Sequence, residues 1–300
     1  MGQDPRYALL EDRGLLAVQG PDRAEFLQGL VSNDVEKAGP DRAVYAALLT
    51  PQGKYLFDFF IIGLDDALFL DCERARLEEL KKRLTVYKLK ADVTLDDRSG
   101  DFAVSALYGE GWAEAAGLEA SAGTARPFAG GIAYSDPRLP EAGGRAVVPA
   151  SGAGRAFETA GFTATDAADY DRMRLGLGLP DASRDLIVEK SILLESGFDE
   201  LNGVDWDKGC YMGQELTART KYRGLVKKRL VPVALAGPPP EPGTPVMLGE
   251  SEAGELRSSA ATGNGGIGLA LLRLDALENP AELKAGDVPV TPRKPEWADY

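Results

Sequence analysis

The segment NGVDWDKGCYMGQELTARTKYRGLVKKRL, residues 202–230, gathers the side chains best suited to chemistry in this chain. Cys210 stands between Gly209 and Gly213, which permit close backbone approach or unusual dihedrals around the thiol. If GQELTARTKY forms a helix, Cys210 falls just ahead of its N-terminus, where free amides and the helix dipole favour a thiolate. Seven cations (Lys208, Arg219, Lys221, Arg223, Lys227, Lys228 and Arg229) face one acid, Glu215, across 22 residues. A reactive or metal-binding thiol beside an anion-binding patch accounts for this pattern. A buried structural cysteine next to a solvated basic face accounts for it equally well.

The rest of the chain narrows the chemistry. It holds 300 residues, two cysteines and no histidine. The missing histidine removes Ser-His-Asp and Cys-His catalysis and every histidine-ligated metal site. Two thiols are too few for a closed all-cysteine zinc or iron–sulfur site, which needs four. A net charge of −13 and a pI near 4.7 argue against nucleic-acid or anionic-membrane binding by the whole surface. Two cysteines build no disulfide framework, and the start MGQDPRYALLEDRG resembles neither a signal nor a transit peptide. Both features lead to the expectation of a cytoplasmic protein, and no run approaches the roughly 18 apolar residues of a membrane span.

Other motifs are weaker. Asp58 sits among large apolar residues in LFDFF, where burial would raise its pKa for acid–base work, while strand alternation could instead turn it to solvent or a cleft. Cys72, at the end of ALFLDC, is expected to be a small buried hydrophobe. GNGGIG, residues 263–268, matches a dinucleotide fingerprint literally, but too little chain follows for a Rossmann unit and it reads as a hairpin turn.

The elements that would position these residues are α+β in character. GLLAVQG, AVYAALLT, KYLFDFFIIG and ALFLDC read as strands, and ERARLEELKKRL as an amphipathic helix carrying Leu77, Leu80 and Leu84. A second unit repeats the mixture, and DAADYDRMRLGLGLP reads as a helix. Residues 181–207 show weak periodicity and are expected to wrap over the other units. Beyond KKRLVPVAL, the break GPPPEPGTP and the glycine turns suit a small all-β domain. The expected units are 1–100, 101–225 and 226–300.

KGCYMGQE, with FLQGLVSNDV, LLTPQGKYLFDFFI, YKLKADV and RTKYRG…KKRL in order, resembles the YgfZ family of folate-binding-like proteins, which are related to the glycine-cleavage T protein. The resemblance implies two α+β units around a central cleft and a C-terminal β-barrel. It implies an accessory role in assembling or repairing iron–sulfur ([4Fe–4S]) clusters, with indirect effects on tRNA modification and Cys210 as the motif thiol. It also implies tetrahydrofolate as ligand and a cluster shared transiently with an A-type carrier or a client enzyme. Asp58 and Tyr170 would then line the cleft, and Lys208, Arg219 and Arg223 would draw an anion. Two departures weaken the aminomethyltransferase alternative: Phe57-Asp58 replaces an acid pair, and Gly176 stands where a pterin-anchoring glutamate belongs. Arg13 and Tyr170 occupy positions that are tryptophan in some members. A tRNA-binding accessory protein using the basic patch is the remaining alternative.

Overall fold

The computed structural model describes residues 4–278 and 282–299. The chain runs through β1 (Arg6–Leu9), β2 (Arg13–Gln19), α1 (Arg23–Gln28), β3 (Val44–Leu49), β4 (Tyr55–Leu64), β5 (Ala67–Glu73), α2 (Leu77–Lys88) and β6 (Thr94–Asp97). It continues with β7 (Phe102–Tyr108), α3 (Trp112–Ala116), β8 (Ala125–Phe128), β9 (Gly131–Ser135), β10 (Gly144–Pro149), α4 (Ala153–Thr159), β11 (Thr163–Thr165) and α5 (Ala167–Leu177). Two helices, α6 (Ala182–Asp185) and α7 (Gln214–Tyr222), precede β12 (Lys228–Leu235), β13 (Pro245–Leu248), β14 (Ser251–Thr262), β15 (Gly265–Arg273), α8 (Leu274–Glu278), β16 (Leu283–Ala285) and β17 (Val288–Pro292).

The chain folds into two compact units. One comprises 1–49, 56–170 and 201–212, and the other 50–55, 171–200 and 213–300. The boundary expected at 100/101 therefore does not separate compact bodies: both sheets of the first unit belong to one. Residues 171–200 and 213–225, expected in the middle unit, group with the barrel instead.

In the first unit a five-stranded sheet has the order β3-β4-β5-β2-β6, and a six-stranded sheet the order β11-β1-β7-β10-β9-β8. Strands β3, β4 and β5 are buried almost end to end, so they read as continuous apolar runs rather than alternations. Helix α2 turns Leu77, Leu80 and Leu84 inward, on the spacing the sequence shows. The six-stranded sheet packs Tyr7, Leu107, Val148 and Phe157 into its own core.

In the second unit β12-β15-β14-β13-β16-β17 close into a barrel, which spares this sheet an open edge. Val231, Val233, Val246, Leu256, Leu272 and Val290 fill it. Thr262 pairs with Gly265 across the turn from β14 to β15, so GNGGIG is a hairpin. Residues 181–207 do contain short helical turns, α6 and a 3-10 turn at Leu193–Ser196. Among the described residues no helix is long and apolar enough to cross a membrane.

Candidate functional site

Cys210 is exposed, and the chain on either side of it is tied down. Lys208 extends its ammonium into a cup of three backbone carbonyls at and beyond the end of α1: Gln28 at 2.8 Å, Val31 at 2.6 Å and Asn33 at 2.7 Å. Each N–H of the ammonium thus has an acceptor, and the Gln28 carbonyl, left over at the end of α1, gains a donor. Burial of this amine pushes its pKa down to about 8. More bonds fasten the same two stretches. The Ser32 hydroxyl donates to the Gly203 carbonyl at 2.6 Å, the Asn33 amide to Asn202 at 2.7 Å, and the Met212 N–H to Gly29 at 3.1 Å. Lys37 forms an ion pair with Asp205. Gly209 has φ +91°, a left-handed conformation in which an L side chain is strained. The outcome is a fixed loop that presents one thiol outward.

This geometry corrects the expected role of Lys208. Its charge is spent on the scaffold and does not face an incoming anion. The expected helix forms as α7, with Gly213 at φ +81° as its N-cap, and Cys210 lies three residues ahead of that cap in the chain. Arg219 and Arg223 are exposed on α7 and at its C-terminal end. They sit in the second unit, whereas Cys210 and Lys208 belong to the first.

Asp58 and Tyr170 are likewise not open to a ligand. Asp58, Phe60, Asp71 and Arg13 share one face of the five-stranded sheet, and Tyr134 and Arg145 reach them from the six-stranded sheet. Arg13 Nε donates to Asp71 Oδ1 at 2.7 Å, and Arg145 Nη1 to Asp71 Oδ2 at 3.1 Å. Arg138 forks onto Asp136 through bonds of 3.0 and 2.8 Å. Asp58, 5% exposed, accepts the Tyr45 hydroxyl at 2.8 Å. Tyr170, 6% exposed, lies against Tyr108 with ring centroids 5.8 Å apart. Phe60 is ringed by the guanidinium carbons of Arg145, Arg138 and Arg13 at 4.3, 4.9 and 5.9 Å from its centroid.

Sequence reasoning missed this layer of three arginines and three aspartates; only Asp58 and Arg13 drew attention. It is a buried, charge-balanced network whose carboxylates all turn inward. Reduced folate does not fit the residues proposed to hold it: Asp58 and Tyr170 are closed in, Lys208 is spent, and Arg219 and Arg223 stand at the surface. Gly176 faces Ile267 of the barrel, and a Cβ there would sit 3.6 Å from its side chain. Cys72 is buried, and that burial pushes its thiol up to about 12. Among the described residues no group of three acids, cysteines or histidines could hold a metal by itself.

Residues 12–113 match the GCVT N-terminal domain family, and residues 227–300 the CAF17 C-terminal beta-barrel domain. The glycine cleavage system aminomethyltransferase T of Bartonella henselae superposes with a TM-score of 0.78 at 15% identity, over 99% of this chain and 87% of that one. The chain thus has a glycine-cleavage T-protein-like fold, mixed α and β, with a closed six-stranded C-terminal barrel. The mouse iron-sulfur cluster assembly factor IBA57, mitochondrial, is 34% identical over 96% of this chain and 84% of its own length. The human protein of the same name is 33% identical over the same shares. This chain belongs to the IBA57 family of iron–sulfur cluster assembly factors. The expectation of a cytoplasmic protein is overturned by these relatives, which are named mitochondrial. Two cysteines and no disulfide framework do not tell one compartment from another.

Proposed function

We propose that this protein is an accessory factor for assembling or repairing iron–sulfur clusters, [4Fe–4S] clusters in particular, in the compartment of its mitochondrial relatives. Cys210 supplies one thiolate to a cluster that passes between this chain and a partner, an A-type carrier or a client enzyme. The observation that carries this reading is the exposed Cys210 on a loop fastened on both sides, in a chain whose other cysteine is buried. A cluster iron needs several sulfur ligands, so the partner's thiols complete the coordination. Lys208 acts as the fastener. Effects on tRNA modification follow from the cluster enzymes that perform it.

Reduced folate is left out of the proposal, because the burial of Asp58 and Tyr170 speaks against a pterin slot there. The same burial disfavours aminomethyl transfer, which would need an accessible carboxylate. In a strain lacking the gene, the wild-type chain should restore aconitase activity and a radical-SAM tRNA modification, while Cys210→Ala should not. A cluster-independent enzyme serves as control. Equal restoration by both would make Cys210 a structural residue, and a deletion without effect on cluster enzymes would end the proposal.

A further inference from the structure

The basic run after Cys210 is less uniform than its sequence. Lys221 forms an ion pair with Asp199, and Arg229 with Glu200 at 2.8 Å, while Lys228 lies close enough to act on the Glu195 carboxyl. Three cations of this run remain exposed and, among the described residues, without an ion pair: Arg219, Arg223 and Lys227. Between them stand two of the few large apolar side chains left in water, Tyr222 at 76% and Leu225 at 46% exposure.

Their presentation is rigid. The Leu225 N–H bonds the Thr220 carbonyl at 3.0 Å and the Gly224 N–H bonds Lys221 at 3.2 Å, with Gly224 at φ +59°. This is a Schellman termination of α7. Such motifs commonly fold the residue after the glycine back onto the helix, yet Leu225 stays half in solvent. A preorganised aromatic and a leucine, framed by unspent cations on a chain of net charge −13, have the composition of a binding anchor.

We propose that Arg219, Tyr222, Arg223, Leu225 and Lys227 form a docking surface for an acidic protein with a small apolar pocket. The proposal rests on the cluster-transfer reading above, and it makes this surface the place where the cluster partner docks. Charge decides between protein and nucleic acid. Sequence-independent nucleic-acid binding draws its strength from the number of phosphates neutralised, and three free cations in this run, on an otherwise acidic chain, supply little of it. An acidic protein needs only enough opposite charge to steer encounter, after which the buried apolar contact sets the lifetime.

The test uses the full chain and a purified A-type carrier, with Kd and association rate measured at two salt concentrations. Tyr222→Ser and Leu225→Ser should each weaken binding roughly tenfold or more. Arg223→Glu with Lys227→Glu should slow association and flatten its salt dependence. Val86→Ser with Leu89→Ser, at the other exposed apolar pair, should change nothing. The proposal is overturned if the wild-type chain does not bind the carrier, if Tyr222→Ser binds within twofold of wild type, or if the control pair weakens binding equally. It also fails if tRNA binds instead and loses its salt dependence in the charge-reversed variant. A failed docking surface in a chain whose Cys210→Ala variant still cannot mature clusters leaves the cluster reading standing. A deletion that spares cluster enzymes removes both.

Discussion

Arg13, Arg138 and Arg145 in the first unit, and Arg219, Arg223 and Lys227 in the second, put one kind of charge to opposite uses. The first three are buried, each forked or bonded to an aspartate, and all lie against the same phenylalanine ring. Desolvating them is tolerable only because Asp71 and Asp136 are already in place. The second three face water with no ion pair among the described residues, beside an aromatic that the fold does not bury. A T-protein-like sheet pair here carries these charged residues as internal structure, while the exposed thiol and the three exposed cations stand on a loop and at a helix end.

The contrast can be broken most severely at Asp71. Asp71→Asn removes the charge opposite both Arg13 and Arg145, and urea denaturation should show a loss of about 3–5 kcal/mol. A loss under about 1 kcal/mol would mean that water reaches the layer. The Asp136–Arg138 pair tests the same point through pH. Burial alone would raise the Asp136 carboxyl, but the neighbouring Arg138 guanidinium holds it below the ordinary aspartate range. The folded carboxyl therefore binds its proton less readily than the unfolded one. Its contribution is complete above about pH 4 and disappears as pH falls below that value. Asp136→Asn should lower stability at pH 7 and flatten the acid limb of the stability curve; an acid limb identical to wild type would refute the pairing. At the other pole, Arg223→Ser and Lys227→Ser should each shift stability by no more than about 0.5 kcal/mol. A larger shift in thermal unfolding would show that these cations serve the fold as well.

What could be read along the chain was what lies close together in it. The apolar runs of β3 to β5, the leucine spacing of α2, the glycine turn at 263–268 and the barrel after the proline break all express local periodicity or turn chemistry. The arginine layer does not. Asp71 meets Arg13 across 58 residues and Arg145 across 74, and nothing local in either partner reveals the match. Strand alternation left open which way Asp58 turned, and only the opposing sheet decides that it is enclosed. Lys208 misled for a related reason. Its neighbours in sequence suggest an anion site, while its true partners are carbonyls 175 to 180 residues away. The unusual backbone around Cys210 was legible because its setting is compact: Gly209 and Gly213, in a motif of eight residues, both take positive φ.

The cup around Lys208 has a consequence for mutational tolerance. All three of its acceptors are main-chain carbonyls, so substitution at Val31, or at any neighbour that preserves the backbone path, leaves the fastening intact. Within the cup itself the constraint falls on the Lys208 side chain alone. On the receiving side the exposed Gly29 and half-buried Leu30 should drift more readily than Ser32 and Asn33, whose side chains make bonds of their own, while Lys208 should not vary, since even arginine, planar and forked, cannot reproduce three converging donors. Natural or laboratory-selected variants of this loop would carry that asymmetry as a pattern of which positions drift and which do not.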